Sequence, residues 1–206
     1  MPKERRNAIV IMVKNPVAGR VKTRLAVDIG EGPALEVYEA LLAHTAEVVR
    51  TLDVERLVFH SDHIERSGPF AQDGFRQYVQ CDGDLGARLD YAASIPFKNQ
   101  HRKVLIIGGD CPTLQADHLQ EAWDLLEDND LVIGPARDGG YYLLGMKAWH
   151  RWLFQDMPWS TERLLPRTKE AAAEHGMQVH LLPELNDIDT LADLQDSPLS
   201  GMAQLK

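Results

Sequence analysis

The alternation of short apolar runs with stretches of helical periodicity constrains the fold of this chain most. The clearest apolar runs are residues 8–13 and 103–108, and each is bounded by residues that end a strand. Between them, residues 33–51 carry apolar side chains at spacings of three and four, which indicates a helix with one buried face. Strands that alternate with helices in this way are typical of an α/β domain with a mainly parallel sheet.

The same criteria predict the rest of the secondary structure. Further strands are expected at residues 56–60, 77–80, 131–134, 141–145 and 178–182. Further helices are expected at residues 85–94, 115–128, 161–174 and 190–195. Pro166 must lie in the first turn of its helix or kink it. No internal repeat or linker is visible, so the pattern predicts a single domain over residues 1–206.

The charge balance narrows the range of partners. The 22 basic and 31 acidic residues give a formal net charge of −9, which argues against a nucleic-acid partner but not against a small phosphate-bearing ligand. Cys81 and Cys111 form neither a disulfide framework nor a zinc motif. No secretory signal and no apolar stretch of about 20 residues is present, so we expect a cytoplasmic protein without a membrane span. The sequence is compatible with an oligomer.

The segment that follows the first strand, residues 14–25, is predicted to bind a diphosphate. Ligands of open α/β sheets bind outside the carboxyl ends of the strands. Four cations fall within this short segment of an acidic chain: Lys14, Arg20, Lys22 and Arg24. Gly19 would permit close approach of the backbone. The spacing does not match a Walker A loop, and a solvated basic turn is the alternative interpretation.

A metal ligand is predicted at the end of the strand over residues 103–108. Asp110 follows this strand within the motif Gly-Gly-Asp-Cys-Pro, where Gly109 leaves room for a ligand beside the carboxylate. Mg²⁺ and Mn²⁺ prefer such oxygen ligands and often share them with substrate phosphates. The alternative is that Asp110 only caps a turn.

Two later segments are candidates for binding an acceptor. Asp138-Gly139-Gly140 between two strands is first of all a turn, but with Arg137, Tyr141 and Tyr142 it could line an acceptor pocket. Trp159 precedes two hydroxyl residues at a helix start, where an anionic or hydroxylated acceptor could bind. Helix capping with a packed Trp159 is the alternative.

A second metal ligand is predicted near the end of the chain. Thr190 can cap the last helix and Asp193 can favour its positive end. Capping leaves Asp187 and Asp189 unexplained, and either could supply the ligand.

Four segments in order resemble one family. MVKNPVAGRVKTRLA, LIIGGDCPTL, LVIGPARDGGYYLLGM and MPWSTE resemble the bacterial DUF2064 proteins, which are described as glycosyltransferase-like or radical-SAM/selenodomain-associated transferases. More distantly, the chain is similar to nucleotidyltransferases that make molybdopterin-guanine dinucleotide or guanylylate 2-phospho-lactate. The resemblance implies the GT-A fold of nucleotide-diphospho-sugar transferases, a three-layer α/β/α Rossmann-like architecture with a mixed, mostly parallel sheet.

The resemblance also implies roles for particular residues. It makes Asp110 the metal ligand and Asp189, in the segment DTLADL, a second ligand. It assigns diphosphate contacts to the first loop, at Gly19, Arg20, Lys22 and Arg24. The chain departs from the family pattern in two places, because it lacks the glycine-rich LAAGxGxR loop and the first aspartate of a DxD motif.

Together these features predict a transferase that uses Mg²⁺ or Mn²⁺ and a nucleotide sugar or nucleoside triphosphate. Asp110 would bind the metal, Lys22 would stabilise charge, and Asp138 would act as base for a small acceptor. Glycosyl transfer is the first hypothesis and nucleotidyl transfer the second. A non-catalytic nucleotide-binding module is the third, although such a protein would be expected to lose its metal carboxylates.

Overall fold

Helices cover both faces of a seven-stranded sheet in the computed structural model, which describes residues 7–72 and 74–204. The strands are β1 Ala8–Val13, β2 Glu55–His60, β3 Phe75–Val79, β4 Val104–Gly108, β5 Leu131–Pro135, β6 Tyr141–Met146 and β7 Val179–Leu181. The helices are α1 Thr23–Ile29, α2 Glu31–Arg50, α3 Leu85–Lys98, α4 Ala116–Leu125, α5 Leu164–Glu174 and α6 Leu191–Gln195, with 3₁₀ turns at Arg151–Leu153 and Ser200–Gln204.

The strand order is β3-β2-β1-β4-β6-β5-β7. All neighbouring strands run parallel except that β6 is antiparallel to β4 and β5. The predicted mixed, mostly parallel sheet is therefore confirmed. Val13 pairs with His60 and Met12 pairs with Gly108, so β1, β2 and β4 end together and their following loops meet at one edge.

Alternate residues of the central strands point into two separate cores, which makes the fold three-layered. In β1, Ile9 and Ile11 pack on the face covered by α2 and α4. Ala8 and Val10 pack on the opposite face, against α3 and α5. Strands buried on both sides read as continuous apolar runs, which is why β1 and β4 are so clear in the sequence.

A third apolar cluster joins α1 and α2 to the C-terminal segment. Leu25 and Ile29 of α1 pack with Leu41 of α2, and Ile188 and Leu194 join them from the C-terminal segment. This cluster holds the C-terminal segment beside the loop that follows β1.

Several predicted boundaries needed correction. Residues 23–25 were predicted as loop, but α1 begins at Thr23, because Leu25 and Ile29 lie one helical turn apart and are both buried. Helix α3 continues past residue 94 to Lys98 with a buried Pro96 in its last turn. Helix α5 begins at Leu164 rather than at residue 161, and Pro166 lies in its first turn. Among the described residues, no helix has the length and hydropathy needed to cross a membrane.

Candidate functional site

Two cavities meet along the edge where β1, β2 and β4 end. The first cavity has a volume of about 570 Å³, and its polar lining residues are Lys14, Asn15, Arg20, Lys22, Thr23, Arg24, Ser61, Asp62, Gln80, Arg88, Asp110 and Asp189. The second cavity has a volume of about 260 Å³, and its polar or aromatic lining residues are Asp110, Asp138, Tyr141, Tyr142, Trp159, Ser160, Thr161 and Asp187. Four residues line both cavities: Met12, Leu85, Gly108 and Asp110.

Asp110 lies at the junction of the two cavities. Its side chain is 43% exposed and follows β4 by two residues. A Cβ atom placed on Gly108 would meet nothing within 4 Å, so the backbone here borders open space. Gly109 lines the first cavity, and a Cβ atom there would lie 2.8 Å from Leu42 Cδ2. The glycine pair thus leaves room on the cavity side and packs closely on the other.

Lys22 joins the two predicted metal carboxylates. Its Nζ atom lies 3.1 Å from Asp110 Oδ2 and 3.3 Å from Asp189 Oδ1, and its side chain is only 3% exposed. Burial alone lowers the pKa of Lys22, but the two carboxylates outweigh burial and the net pKa is raised. The ammonium is therefore a fixed positive charge between Asp110 and Asp189.

The backbone conformation of Lys22 directs its side chain inward. The residue precedes α1 and has a φ of 46° in the left-handed region, which is uncommon for a residue with a side chain. The turn before it contains Gly19, whose φ is 74°. A Cβ atom on Gly19 would lie 3.1 Å from the Glu31 carboxylate, so Gly19 packs against the start of α2 and is outside the cavity lining.

The C-terminal segment reaches Asp110 through its backbone. Ile188 N donates to Asp110 O at 3.3 Å, and the Ile188 side chain is 1% exposed in the cluster with α1 and α2. Thr190 caps α6 as the sequence predicts, and Asp193 Oδ2 accepts from Asp189 N at 3.2 Å. Sequence reasoning left open whether Asp187 or Asp189 faces Asp110. Asp189 shares the Lys22 cation with it, whereas Asp187 lines the second cavity.

The carboxylate pair fits a divalent cation. Asp110 and Asp189 already converge on one positive charge, and both remain partly exposed at 43% and 41%. Mg²⁺ is usually bound by one or two carboxylates that it shares with substrate phosphates and water. Within residues 7–72 and 74–204, no group of three or more His, Cys, Asp or Glu side chains is placed to hold a metal ion. The pair would therefore need oxygen atoms from a substrate or from water to complete the coordination.

The other cations of the first loop differ in how firmly they are held. Arg24 Nη1 lies 3.6 Å from Asp189 Oδ2, but its side chain is 72% exposed. Lys14 and Arg20 line the cavity, and the Lys14 backbone is held by Tyr38, whose hydroxyl accepts from Lys14 N at 2.9 Å. Burial raises the pKa of Tyr38, so this hydroxyl stays protonated.

The residues that follow β2 and β3 and line the first cavity were not predicted from the sequence. Asn15 fixes the loop after β2, because its Oδ1 accepts from Asp62 N at 2.8 Å and its Nδ2 donates to His63 O at 2.9 Å. Gln80 lies just after β3, where its Nε2 donates to Val13 O at 3.0 Å and to Phe59 O at 2.9 Å. Both N–H groups of this amide are used, so its oxygen is the atom left to contact a ligand.

Their position at strand ends is the signal that could have identified these residues. In parallel sheets the residues after neighbouring strands share one edge. Ser61 and Gln80 directly follow β2 and β3, so the same rule that selected the first loop also selects them. Arg88 comes from the first turns of α3 and has no comparable signal.

The turn over residues 136–140 forms as predicted and contributes to the second cavity. Gly139 N donates to Ala136 O at 3.0 Å, and Asp138 Oδ1 accepts from Gly140 N at 2.8 Å. Asp138 and Gly140 line the cavity, but Gly139 is outside its lining, with its backbone pressed against Glu162.

All three aromatic residues of the two acceptor segments line the second cavity. Tyr141 and Trp159 line the second cavity and contact each other edge to face, with ring centroids 6.3 Å apart. The ring of Tyr142 lies over Gly134, and its hydroxyl donates to Pro183 O at 3.2 Å. Arg137 is directed away from the cavity and pairs with Glu184 and Asp196.

The carboxylates around the second cavity affect one another's ionisation. The pKa of Asp187 is raised to about 6, first by burial and then by the neighbouring carboxylates of Asp189 and Asp138, while Lys22 acts in the opposite direction. An additional negative charge beside Asp187 would therefore be unfavourable.

The strand order and the position of the two cavities identify the class of fold. The chain has the three-layer α/β/α fold of nucleotide-diphospho-sugar transferases, with candidate ligand sites at the carboxyl edge of its sheet. It belongs to the DUF2064 family, described as uncharacterized proteins conserved in bacteria, which it matches over residues 43–161. A comparison with curated proteins found no match.

Several solved structures of differently named proteins share this fold. One from Desulfovibrio desulfuricans G20, provisionally named a nucleotide-diphospho-sugar transferase, is 24% identical with a TM-score of 0.86, and the match covers 95% of this chain and 93% of that one. The inositol-1-phosphate CTP transferase from T. maritima is 15% identical with a TM-score of 0.60, covering 98% and 96%. Rv0371C from Mycobacterium tuberculosis H37Rv, in complex with manganese, is 16% identical with a TM-score of 0.52, covering 93% and 96%. At these identities the likenesses show the fold.

Proposed function

We propose that this protein is a metal-dependent transferase that binds a nucleotide-diphosphate donor in the first cavity and a small acceptor in the second. The observation that carries the proposal is the position of Asp110, which lies between a cation-lined cavity and an apolar one. A carboxylate that binds a metal is useful at this point, because the bond to be broken must lie where donor and acceptor meet.

The lining of the first cavity supports a diphosphate ligand. Its volume of about 570 Å³ lies within the range of about 300–1,000 Å³ that is usual for small-molecule sites. Five cations line it: Lys14, Arg20, Lys22, Arg24 and Arg88. Arginine can contact phosphate oxygens bidentately, and a buried lysine supplies a fixed charge. Asp110 and Asp189 would hold Mg²⁺ or Mn²⁺, which would neutralise charge on a departing phosphate.

Glycosyl transfer to a hydroxyl group is the reaction that we favour. The acceptor oxygen forms a bond to the anomeric carbon of the sugar, and the anomeric C–O bond to the diphosphate breaks. The diphosphate leaves with the electron pair, and Lys22 stabilises its charge. Asp138 accepts the hydroxyl proton, since its carboxylate lines the second cavity and only one of its oxygen atoms is held by the turn.

Nucleotidyl transfer is the second candidate, supported by the number of cations in the first cavity. A nucleoside triphosphate carries more negative charge than a nucleotide sugar, and five cations suit it well. In that reaction the acceptor attacks the α-phosphorus and pyrophosphate leaves. A non-catalytic nucleotide-binding module is the third candidate, and the paired Asp110 and Asp189 argue against it.

A thermal-shift screen tests the proposal. Nucleoside triphosphates and nucleotide sugars are each added with and without Mn²⁺, because a ligand that binds only the folded state raises the melting temperature. We expect stabilisation by nucleotide sugars that depends on Mn²⁺. Asp110→Ala should abolish the metal-dependent part of the shift and leave the protein folded, with a lower melting temperature of the unliganded protein because the buried Lys22 ammonium loses one partner.

Three outcomes would count against parts of the proposal. Stabilisation by a triphosphate but by no nucleotide sugar would exclude glycosyl transfer in favour of nucleotidyl transfer. No stabilisation by any nucleotide with the metal present would contradict the proposal as a whole. An Asp110→Ala protein that does not fold would show that Asp110 is structural.

A further inference from the structure

The second cavity has mostly apolar walls. They come from several elements of the fold, at Met12, Leu85, Leu89, Ile106, Leu114, Leu144 and Leu164. Tyr141 and Trp159 add two aromatic rings in edge-to-face contact. A volume of about 260 Å³ accommodates a small molecule with an apolar body.

The charged residues of this cavity are all acidic. Asp110, Asp138 and Asp187 line it, and none of the described residues in its lining is Lys, Arg or His. The first cavity differs, because five basic residues line it beside three acidic ones. Lys22 is already paired with Asp110 and Asp189 and lines only the first cavity.

The cavity also contains hydrogen-bonding groups that suit an uncharged ligand. The lining includes the hydroxyl residues Ser160 and Thr161 and the indole of Trp159, whose buried Nε1 has no hydrogen-bond partner within the described part of the chain. Buried polar groups usually have a partner, and each exception calls for an explanation. A hydroxyl group of a ligand could accept from Trp159 Nε1 after a movement of the indole ring.

We propose that the acceptor is a non-anionic alcohol with an apolar body, and that phosphorylated acceptors are excluded. A phosphate monoester carries a charge of about −2 at neutral pH and needs cations for binding. In the second cavity it would instead face the carboxylates of Asp138 and Asp187, while Asp110 is already paired with Lys22. This inference rests on the proposed function, because it assigns the second cavity to the acceptor, and it favours glycosyl transfer over nucleotidyl transfer to a phosphate.

Three probes with the same apolar body test the inference: 2-phenylethanol, 2-phenylethylamine and 2-phenylethyl phosphate. Binding is followed in ¹H–¹⁵N NMR spectra through the Trp159 indole resonance, which a Trp159→Phe variant identifies. We expect the alcohol to shift this resonance and the phosphate ester to bind at least about tenfold more weakly, because like charges brought together are strongly unfavourable. The amine, which is cationic, should bind at least as well as the alcohol.

A charge substitution provides an independent test. Asp187→Lys places a cation in the cavity and should reduce the preference for the alcohol over the phosphate ester by at least about tenfold. Asp128→Lys makes the same change at an exposed position after α4 and should leave the preference unchanged. If Asp187→Lys does not fold, Asp138→Asn should reduce the preference in the same direction.

The inference is overturned if the phosphate ester binds as tightly as the alcohol, if no probe shifts the Trp159 resonance, or if the substitutions in the cavity leave the preference unchanged. None of the probes contains a nucleotide, so these outcomes are independent of the nucleotide screen. Nucleotide stabilisation together with tight binding of the phosphate ester would retain the transferase and replace only its acceptor.

Discussion

Lys22→Met is expected to weaken nucleotide binding by about 10- to 100-fold and to strengthen the binding of Mn²⁺ alone. The loss corresponds to a charge-assisted contact of about 1.5–3 kcal/mol. The stronger binding of Mn²⁺ has a different cause. The Lys22 ammonium lies within 3.3 Å of both Asp110 and Asp189, so its positive charge opposes the binding of a metal ion to the same carboxylates. Methionine keeps a long apolar side chain in this buried position and removes the competing charge.

Isothermal titration calorimetry with nucleotide and with Mn²⁺ separately measures both effects. Arg102→Met is the control, because it also removes a cation but at an exposed position before β4, at the opposite end of that strand from Asp110. It should change either affinity much less than Lys22→Met does. A Lys22→Met protein that binds nucleotide normally, or that binds Mn²⁺ more weakly, would contradict the assigned role of Lys22.

Gly139→Ala is expected to lower the free energy of unfolding by about 3 kcal/mol or more, through two effects that add. The φ of Gly139 is 85°, a region that costs a residue with a side chain about 1–2 kcal/mol. A Cβ atom here would also lie 2.4 Å from Glu162 Cα and 2.7 Å from Glu162 O, and relieving such an overlap by backbone shifts typically costs about 1–3 kcal/mol. Leu165 N donates to Gly139 O at 3.0 Å, so the two segments cannot separate without losing this bond.

Urea denaturation of Gly139→Ala and Gly176→Ala separates the two effects. Gly176 also has a positive φ, of 65°, but a Cβ atom there would meet nothing within 4 Å. Gly176→Ala should therefore show only the backbone cost. Equal destabilisation by both substitutions would show that the contact between Gly139 and Glu162 is looser than the structure indicates.

The sheet and most helices could be predicted from the sequence because their signals are local. β1 and β4 are buried on both faces, so their apolar runs are uninterrupted. Helix α1 was missed because its two buried residues, Leu25 and Ile29, are too few to show a period. In addition, the cations of residues 14–25 indicated a single ligand-binding loop over the whole of that segment.

The candidate site was predicted only in part. The features that were not predicted depend on contacts between residues that are far apart in the sequence. Asp110 and Lys22 could be selected by their positions after β4 and β1. The contact between Lys22 and Asp189 spans 167 residues and depends on Ile188 entering the core with α1 and α2, which no local pattern encodes. The division of lining residues between two cavities, with Asp187 and Asp189 on different sides, likewise depends on tertiary packing.

The central claim, that Asp110 and Asp189 bind a metal ion together with a nucleotide, is tested most directly by electron paramagnetic resonance. The signal of free Mn²⁺ gives the amount of metal bound by difference, with and without the nucleotide that stabilises the protein most. For the unsubstituted protein, we predict one bound Mn²⁺ whose affinity rises at least about tenfold with nucleotide, because metal and phosphate share ligands. Asp110→Asn and Asp189→Asn should each abolish this increase, and Asp128→Asn should not. The account would be contradicted if the affinity for Mn²⁺ were the same with and without nucleotide. It would also be contradicted if Asp110→Asn left Mn²⁺ binding unchanged.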